Sequence, residues 1–255
     1  MKQSYLAIGA IMKNEALYLR DWLLFHARQG VRVFYLFDND SDDGSVEVAL
    51  RCVDELPDSV CLSINHITGP KAQFPAYDKI LRSAREDGHT WLALIDIDEY
   101  LFSPTGAKLP DVLANYEQHS GVVVHWVLYG SAGEKEYKPG SVRDRFQWRA
   151  AEVDRHVKTI CKPKHVERVI TAHIVDYLSG GAVDENHWQI PSFEPRPENA
   201  TANILRINHY VTKSEAEARI KCARGRADIG AGREFETFFP AHDCNEVLDP
   251  IISEE

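Results

Sequence analysis

The first hundred residues constrain this chain most: short apolar runs alternate with segments of helical period, and each run ends in a polar cluster. Residues 5–11 form an uninterrupted apolar run that reads as a strand buried on both faces. Residues 14–28 follow, with Leu17, Leu19, Trp22, Leu23, Leu24 and Phe25 at roughly helical spacing and Gly30 as a stop. Residues 31–37 are a second strand, rich in β-branched and aromatic side chains. A polar turn from Asp38 to Ser45 then leads into a helix over 46–53. Residues 60–66 read as a third strand, 74–86 as an amphipathic helix and 91–95 as a fourth strand.

Strands separated by helices of this length imply right-handed crossovers and a parallel sheet covered on both faces. After residue 102 the pattern changes. A helix is expected over 109–118 and a strand over 121–128, followed by a stretch rich in Gly, Pro, His and Trp with strand candidates at 157–161 and 169–174. A last strand is expected over 204–211 and a helix over 214–224. The expected class is α/β, one domain over 1–255. Residues 1–102 would form a doubly wound nucleotide-binding half, 103–239 a mixed acceptor-side half, and 240–255 a tail.

Charge and composition narrow the function. The 255 residues carry 29 basic and 39 acidic side chains, a net of 29 − 39 = −10, which speaks against a protein that holds a nucleic-acid backbone. No apolar run is long enough to span a bilayer, and Lys13-Asn14-Glu15 arrives too soon for a signal peptide, so a cytoplasmic location is expected. Cys52, Cys61, Cys161, Cys222 and Cys244 are scattered without a CxxC and read as reduced thiols.

In an open α/β sheet, ligands bind beyond the carboxyl ends of the strands. Four expected strands end in polar residues there: Lys13-Asn14-Glu15, Asp38-Asn39-Asp40, His66 with Lys71 and Gln73 beyond it, and Asp96-Ile97-Asp98. Carboxylates after strands also serve as helix caps, and Asp42 and Asp43 before Gly44 read best that way. Asp96 and Asp98 differ. In an extended chain they point the same way and repel unless a cation lies between them. A divalent Mn²⁺ or Mg²⁺ accepts such hard oxygen ligands and leaves room for phosphate oxygens.

Together these segments, with Asp96 to Leu101, resemble the glycosyltransferase family 2-like group of GT-A fold, and within it glycosyltransferase family 92 and its bacterial relatives. Gln73 with Tyr77, His125-Trp126 leading to the loop Gly130 to Gly133, Lys158 to Pro163, Ile207 to Tyr210, and Lys213 through Arg226 fit in the same order. The resemblance covers roughly residues 4–230. It implies a GT-A type, Rossmann-like sheet and a hexosyltransferase that moves a sugar from a nucleotide-sugar donor, a UDP-sugar, to a glycan or glycolipid acceptor with inversion. Polysaccharide or surface-glycan assembly, with peripheral membrane contact, would be the setting.

By the same resemblance, Asp96, Asp98 and His209 would hold the metal. Lys13, Asn14, Glu15, Asp38 and Asp40 would receive the base and ribose, and Gln73 and Tyr77 would lie along the ribose and diphosphate. Lys213, Lys221, Arg224 and Arg226 would meet the phosphates, although helix surface charge explains Lys221 and Arg226 equally well. An inverting transfer needs a general base, and the candidates are Asp176, Asp184, Glu134 and Glu185, with no spacing rule to choose among them. The glycine loop 130–133 would let backbone approach the donor sugar. Trp126 can stack on a sugar and His173 can line the acceptor pocket, though core roles compete for both. Two rivals are a non-catalytic nucleotide-sugar-binding protein and a sugar-phosphate nucleotidyltransferase. The latter typically carries a Gly-rich basic loop after the first strand, where this chain has Ile11 to Glu15.

Overall fold

A computed structural model describes residues 3–190, 200–228, 230 and 232–252. The first half alternates as β1 (Leu6–Met12), α1 (Ala16–Arg28), β2 (Val33–Asp38), α2 (Ser45–Cys52), β3 (Cys61–His66), α3 (Gln73–Glu86) and β4 (Trp91–Leu94). All four strands pair in parallel, in the order β3-β2-β1-β4. The chain winds outward from β1 to β3 and returns to β4 on the other side of β1, so the direction of winding switches between β1 and β4.

Burial on both faces explains the apolar runs. Leu6, Ile8, Ala10, Phe34, Leu36, Trp91 and Ala93 pack with Leu19, Trp22 and Leu23 of α1. The alternate residues Ala7, Ile11, Val33, Tyr35, Phe37, Leu92 and Leu94 pack with Ala76, Tyr77, Ile80 and Leu81 of α3. Gly9 permits a close approach of α3, since a Cβ there would lie 2.4 Å from Ile80.

The second half adds β5 (Glu99–Phe102), α4 (Leu109–Leu113), β6 (Gly121–Leu128), α5 (Val142–Arg145), β7 (Trp148–Arg149), β8 (Val157–Cys161), β9 (Val166–Val169) and β10 (Val175–Tyr177). It ends with β11 (Ala182–Val183), β12 (Gln189–Ile190), β13 (Arg206–His209), α6 (Glu215–Arg224), α7 (Phe235–His242) and β14 (Val247–Leu248). β8 inserts antiparallel between β4 and β6, extending the sheet to β11 and β12. β13 runs parallel to β6 and antiparallel to β5. The expected mixed α/β class, with a large and mostly parallel central sheet, is what the chain forms.

Several boundaries differ from the sequence expectation. The strand expected at 169–174 is instead a bend between β9 and β10, which pair antiparallel. The helix expected over 109–118 stops at Leu113 and tightens into a 3₁₀ turn over Ala114–Tyr116. The segment after residue 240 adds a strand, because β14 pairs with β7 and Asp249 accepts from Arg149 at 2.6 Å and Arg206 at 3.0 Å.

Candidate active site

The switch between β1 and β4 opens a cleft of about 420 Å³. Lys13 and Glu15 reach it from the end of β1, Asn39 and Asp40 from the end of β2, and Gln73 from the start of α3. Asp96 and Asp98 follow β4, His209 ends β13, and Lys221 and Arg224 lie on α6. Lys71, Arg226, Asp228 and Arg233 complete the charged wall, and Trp126, Ala172 and His173 line the side toward β6 and β8. From β2 to β6 is four strand spacings, roughly 19 Å along the sheet.

The two aspartates do not lie on an extended chain. Ile97 and Asp98 form a turn, with Glu99 N–H donating to the Asp96 carbonyl at 3.1 Å and Asp96 N–H to Glu99 Oε2 at 2.9 Å. Each aspartate has its own ammonium neighbour. Asp96 accepts from Lys158 Nζ at 3.0 Å, Gln73 Nε2 at 3.1 Å and the Tyr77 hydroxyl at 3.2 Å. Burial pushes the neighbouring Glu99 carboxyl up, and Asp96 and Asp98 add to this against Lys158, so Glu99 favours its neutral form and Asp96 is the counter-ion of Lys158.

Asp98 is buried and accepts from Lys221 Nζ. Burial opposes its ionisation, yet Lys221, His209 and Lys213 hold its carboxyl well below the usual range. His209 is also buried, and desolvation lowers its basicity even beside Asp98, so it is a neutral donor. Its Nε2 lies 3.6 Å from Asp98 Oδ1, and its Nδ1 has no hydrogen-bond partner among the described residues. A carboxylate oxygen and a neutral imidazole nitrogen at that separation suit one divalent ion bridging them. Among the described residues, no group of three His, Cys, Asp or Glu side chains is gathered into a complete metal centre. Asp98 and His209 would face such an ion as a pair, with substrate or water needed to complete its shell, while Asp96 accepts from Lys158.

Of the residues expected at the donor, Lys13, Glu15, Asp40, Gln73, Lys221, Arg224 and Arg226 line the cleft, and Asn14, Asp38, Tyr77 and Lys213 do not. Asn14, in the left-handed region at φ 53°, exchanges hydrogen bonds with Asp42 and so ties the loops after β1 and β2 together. Asp38 is buried and accepts from Ser41 N–H at 3.3 Å, Tyr77 lies beneath Asp96, and the Lys213 ammonium sits 4.3 Å over the Tyr18 ring. Arg224 pairs with Glu15 at 2.7 Å and also donates to the Lys13 carbonyl.

None of the four carboxylates expected as general base lines the cleft, and Glu185 is buried where it accepts from the Ile204 and Leu205 N–H groups. Glu134 pairs with Lys138 at 2.6 Å, and Asp176 with Arg168 at 2.9 Å. Asp184 is buried in a turn, accepting from the N–H groups of Asn186 and Trp188 at 2.9 Å each. The glycine loop also turns elsewhere. A Cβ on Gly130 would meet the Cys244 carbonyl at 2.3 Å, and Ser131 and Ala132 donate to Asp243 and Asn245, so the close approach is to the chain's own C-terminal segment.

The place of two charged side chains escaped the sequence reading. Arg233 lines the cleft, and its signal was a basic residue beside the glycines at 230 and 232. Lys158 is fully buried under Asp96, and its signal was a lone ammonium inside an apolar strand.

No family profile matches the chain. Three plant proteins do. The chain is 30% identical over 216 residues to a glycosyltransferase family 92 protein of Oryza sativa subsp. japonica, covering 82% of this chain and 33% of that protein. It is 25% identical over 215 residues to one from Ricinus communis, covering 82% and 36%, and 26% identical over 218 residues to one from Arabidopsis thaliana, covering 80% and 35%. All three carry the family 92 name. The chain spans about a third of the length of these curated relatives. A crystal structure of glucosyl-3-phosphoglycerate synthase from Mycobacterium tuberculosis is 10% identical, with a TM-score of 0.33 over 63% of this chain and 57% of that one. Another, titled a mycobacterial protein, is 11% identical with a TM-score of 0.29 over 46% and 39%. Likeness this shallow adds nothing to the fold, which rests on the sheet order above.

Proposed function

We propose that this chain is a metal-dependent glycosyltransferase of GT-A fold that transfers a sugar from a UDP-sugar to a glycan or glycolipid acceptor with inversion. One observation carries the reading. At the β1/β4 switch, Asp96 and Asp98 meet Lys13, Lys71 and Arg233, cations that form no ion pair among the described residues. In a chain of net charge −10, unpaired cations converging on one cleft fit a ligand with several negative charges, such as a diphosphate. The family 92 names of the plant relatives supply the reaction class.

In this reading the β1 and β2 ends take the nucleoside, and Lys71, Arg226 and Arg233 meet the diphosphate. Asp98 and His209 would hold Mn²⁺ or Mg²⁺, whose charge would stabilise the departing diphosphate. Lys158, Gln73 and Tyr77 fix Asp96 so that its exposed edge can accept from a donor hydroxyl. Trp126 and His173, on the far side of the aspartates, leave the acceptor its place. A reducing, cytoplasm-like compartment suits the five free cysteines. No helix among the described residues is long and apolar enough to cross a membrane, and in this reading a lipid-linked acceptor would be met by peripheral contact.

Incubation with UDP-sugars, Mn²⁺ and a panel of saccharides tests the proposal through released UDP. Release that requires both metal and acceptor is the expected result. Tight binding of UDP-sugar without release from any acceptor would instead mark a nucleotide-sugar-binding protein. Release of pyrophosphate from UTP and a sugar phosphate would mark a nucleotidyltransferase.

A further inference from the structure

The transfer proposed above needs a group to take the acceptor's hydroxyl proton, and the carboxylates expected for it stand outside the cleft. Those that line the cleft are already engaged: Glu15 with Arg224, Asp40 with His66, Asp96 with Lys158, Asp98 with Lys221, and Asp228 with Arg226. On the acceptor side, the proton-accepting side chain lining the cleft is a histidine.

His173 stands beside Trp126, their ring centroids 5.3 Å apart in an edge contact, with His156 behind them at 5.7 Å. Three consecutive residues of β8 hold its loop. The Thr159 hydroxyl donates to the His173 carbonyl at 2.6 Å, and the Lys158 ammonium donates to the Ala172 carbonyl at 3.2 Å. His173 Nδ1 lies 3.0 Å from the Val157 carbonyl. A carbonyl only accepts, so Nδ1 carries the ring proton and Nε2 keeps the lone pair. Burial, with Lys158 adding to it, pushes this imidazole down to about 4, so it is neutral at physiological pH.

We propose that His173 is the general base of the transfer, a reading that rests on the glycosyltransferase assignment. The acceptor oxygen bonds to the anomeric carbon as that carbon's bond to the β-phosphate oxygen breaks. The hydroxyl proton passes to Nε2 of His173, and the nucleoside diphosphate leaves with the bonding electron pair. A bound diphosphate favours the protonated ring, so the basicity of His173 rises when donor is present. The groups that set it are Lys158 and Asp96 on the cleft floor and His156 across the loop. Protein positioning does the rest, because a loop held by β8 at two backbone carbonyls, with the ring held at Nδ1, presents Nε2 in one orientation.

The test compares His173→Gln and His173→Ala with the parent in Mn²⁺-dependent UDP release, with UDP affinity measured by calorimetry. Both variants are expected to bind UDP within about two-fold of the parent and to lose about 100-fold or more in kcat. The acid limb of the parent's kcat profile should vanish in His173→Gln. His173→Asn, whose amide can still donate to the Val157 carbonyl, covers the case in which the other variants fail to fold. Near-parental kcat in Gln or Asn, neither of which takes a proton, overturns the base role while leaving the transferase assignment intact. A parent that binds UDP and never releases it from a UDP-sugar overturns the assignment itself, and this proposal with it.

Discussion

The two halves of the chain use charge in opposite ways. Up to β4 the molecule is held by aliphatic and aromatic layers on both faces of four parallel strands, and the charged side chains sit at the rim. Beyond β5, strands as short as the two-residue β7, β11, β12 and β14 offer little apolar surface, and ion pairs take over the joints. Arg145 pairs with Glu217 at 2.6 Å with both side chains buried, Arg143 reaches back to Asp21 at 2.6 Å, and Arg149 and Arg206 share Asp249. The contrast teaches where charge is structural and where it is left for a ligand.

Glu217→Gln attacks the contrast most directly. Glu217 joins three elements: it completes the capping box of α6 with Ser214, accepts from Arg145, and accepts from the Tyr18 hydroxyl at 2.8 Å. Neutralising it leaves a buried guanidinium uncompensated, which typically costs about 3–5 kcal/mol, or roughly 10 °C in Tm for a domain of this size. Burial pushes the Glu217 carboxyl up, but Arg145, Ser214 and Tyr18 outweigh that and hold it below the usual range. The folded state therefore binds this proton later than the unfolded state does. Its contribution is complete above about pH 5 and is lost as pH falls through the depressed value. Urea midpoints at pH 7 and pH 3.5 should differ less in Glu217→Gln than in the parent. A variant that melts with the parent would show that the second half stands without this ion pair.

Asp98→Ala tests the seam between the halves. It removes the carboxylate that faces both His209 and Lys221, and calorimetry of UDP with Mn²⁺ should show at least about 100-fold weaker binding, or about 2.7 kcal/mol. The Asp96→Ala variant should behave differently. Its loss should appear whether or not metal is present, because Asp96 is tied to Lys158, Gln73 and Tyr77 rather than to the His209 pair. Equal metal dependence of the two losses would return Asp96 to the ion.

What the sequence disclosed follows the same division. The apolar runs behind β1, β2, β4 and β6 were legible because burial on both faces leaves a nearly unbroken hydrophobic stretch. Their polar ends, from Lys13 to Asp98, were legible because an open sheet has one place for ligands. The bend at 170–174 was not, since Val169 to Ile174 has strand-like composition, and what folds it back are hydrogen bonds such as those of Ile170 and Thr171 to the Ile174 carbonyl and of His173 and Ile174 to the Thr171 hydroxyl. Nor could local pattern show that Asp249 belongs between Arg149 and Arg206, or that Lys158 lies under Asp96, because such pairings cross tens of residues. The base candidates failed for a related reason. Asp184 and Glu134 look catalytic in one dimension, but their partners are a turn and a neighbouring lysine.

Arg233 is the charge of the second half that breaks its rule, and replacing it has the smallest expected effect. It makes no ion pair among the described residues, rests its guanidinium 5.2 Å over the Phe238 ring and lines the cleft. Burial, with Arg226 nearby, lowers its basicity somewhat, but a guanidinium stays charged at any physiological pH. Arg233→Ala should therefore leave Tm within a degree or two of the parent, in contrast to Glu217→Gln. One fewer phosphate contact should weaken UDP binding about 10-fold, or about 1.4 kcal/mol. The loss should also shrink as salt is raised, because a partly exposed charge acts through a screened field. A variant that loses stability and keeps its UDP affinity would place Arg233 with the structural arginines and leave Lys13 and Lys71 as the cations available to the diphosphate.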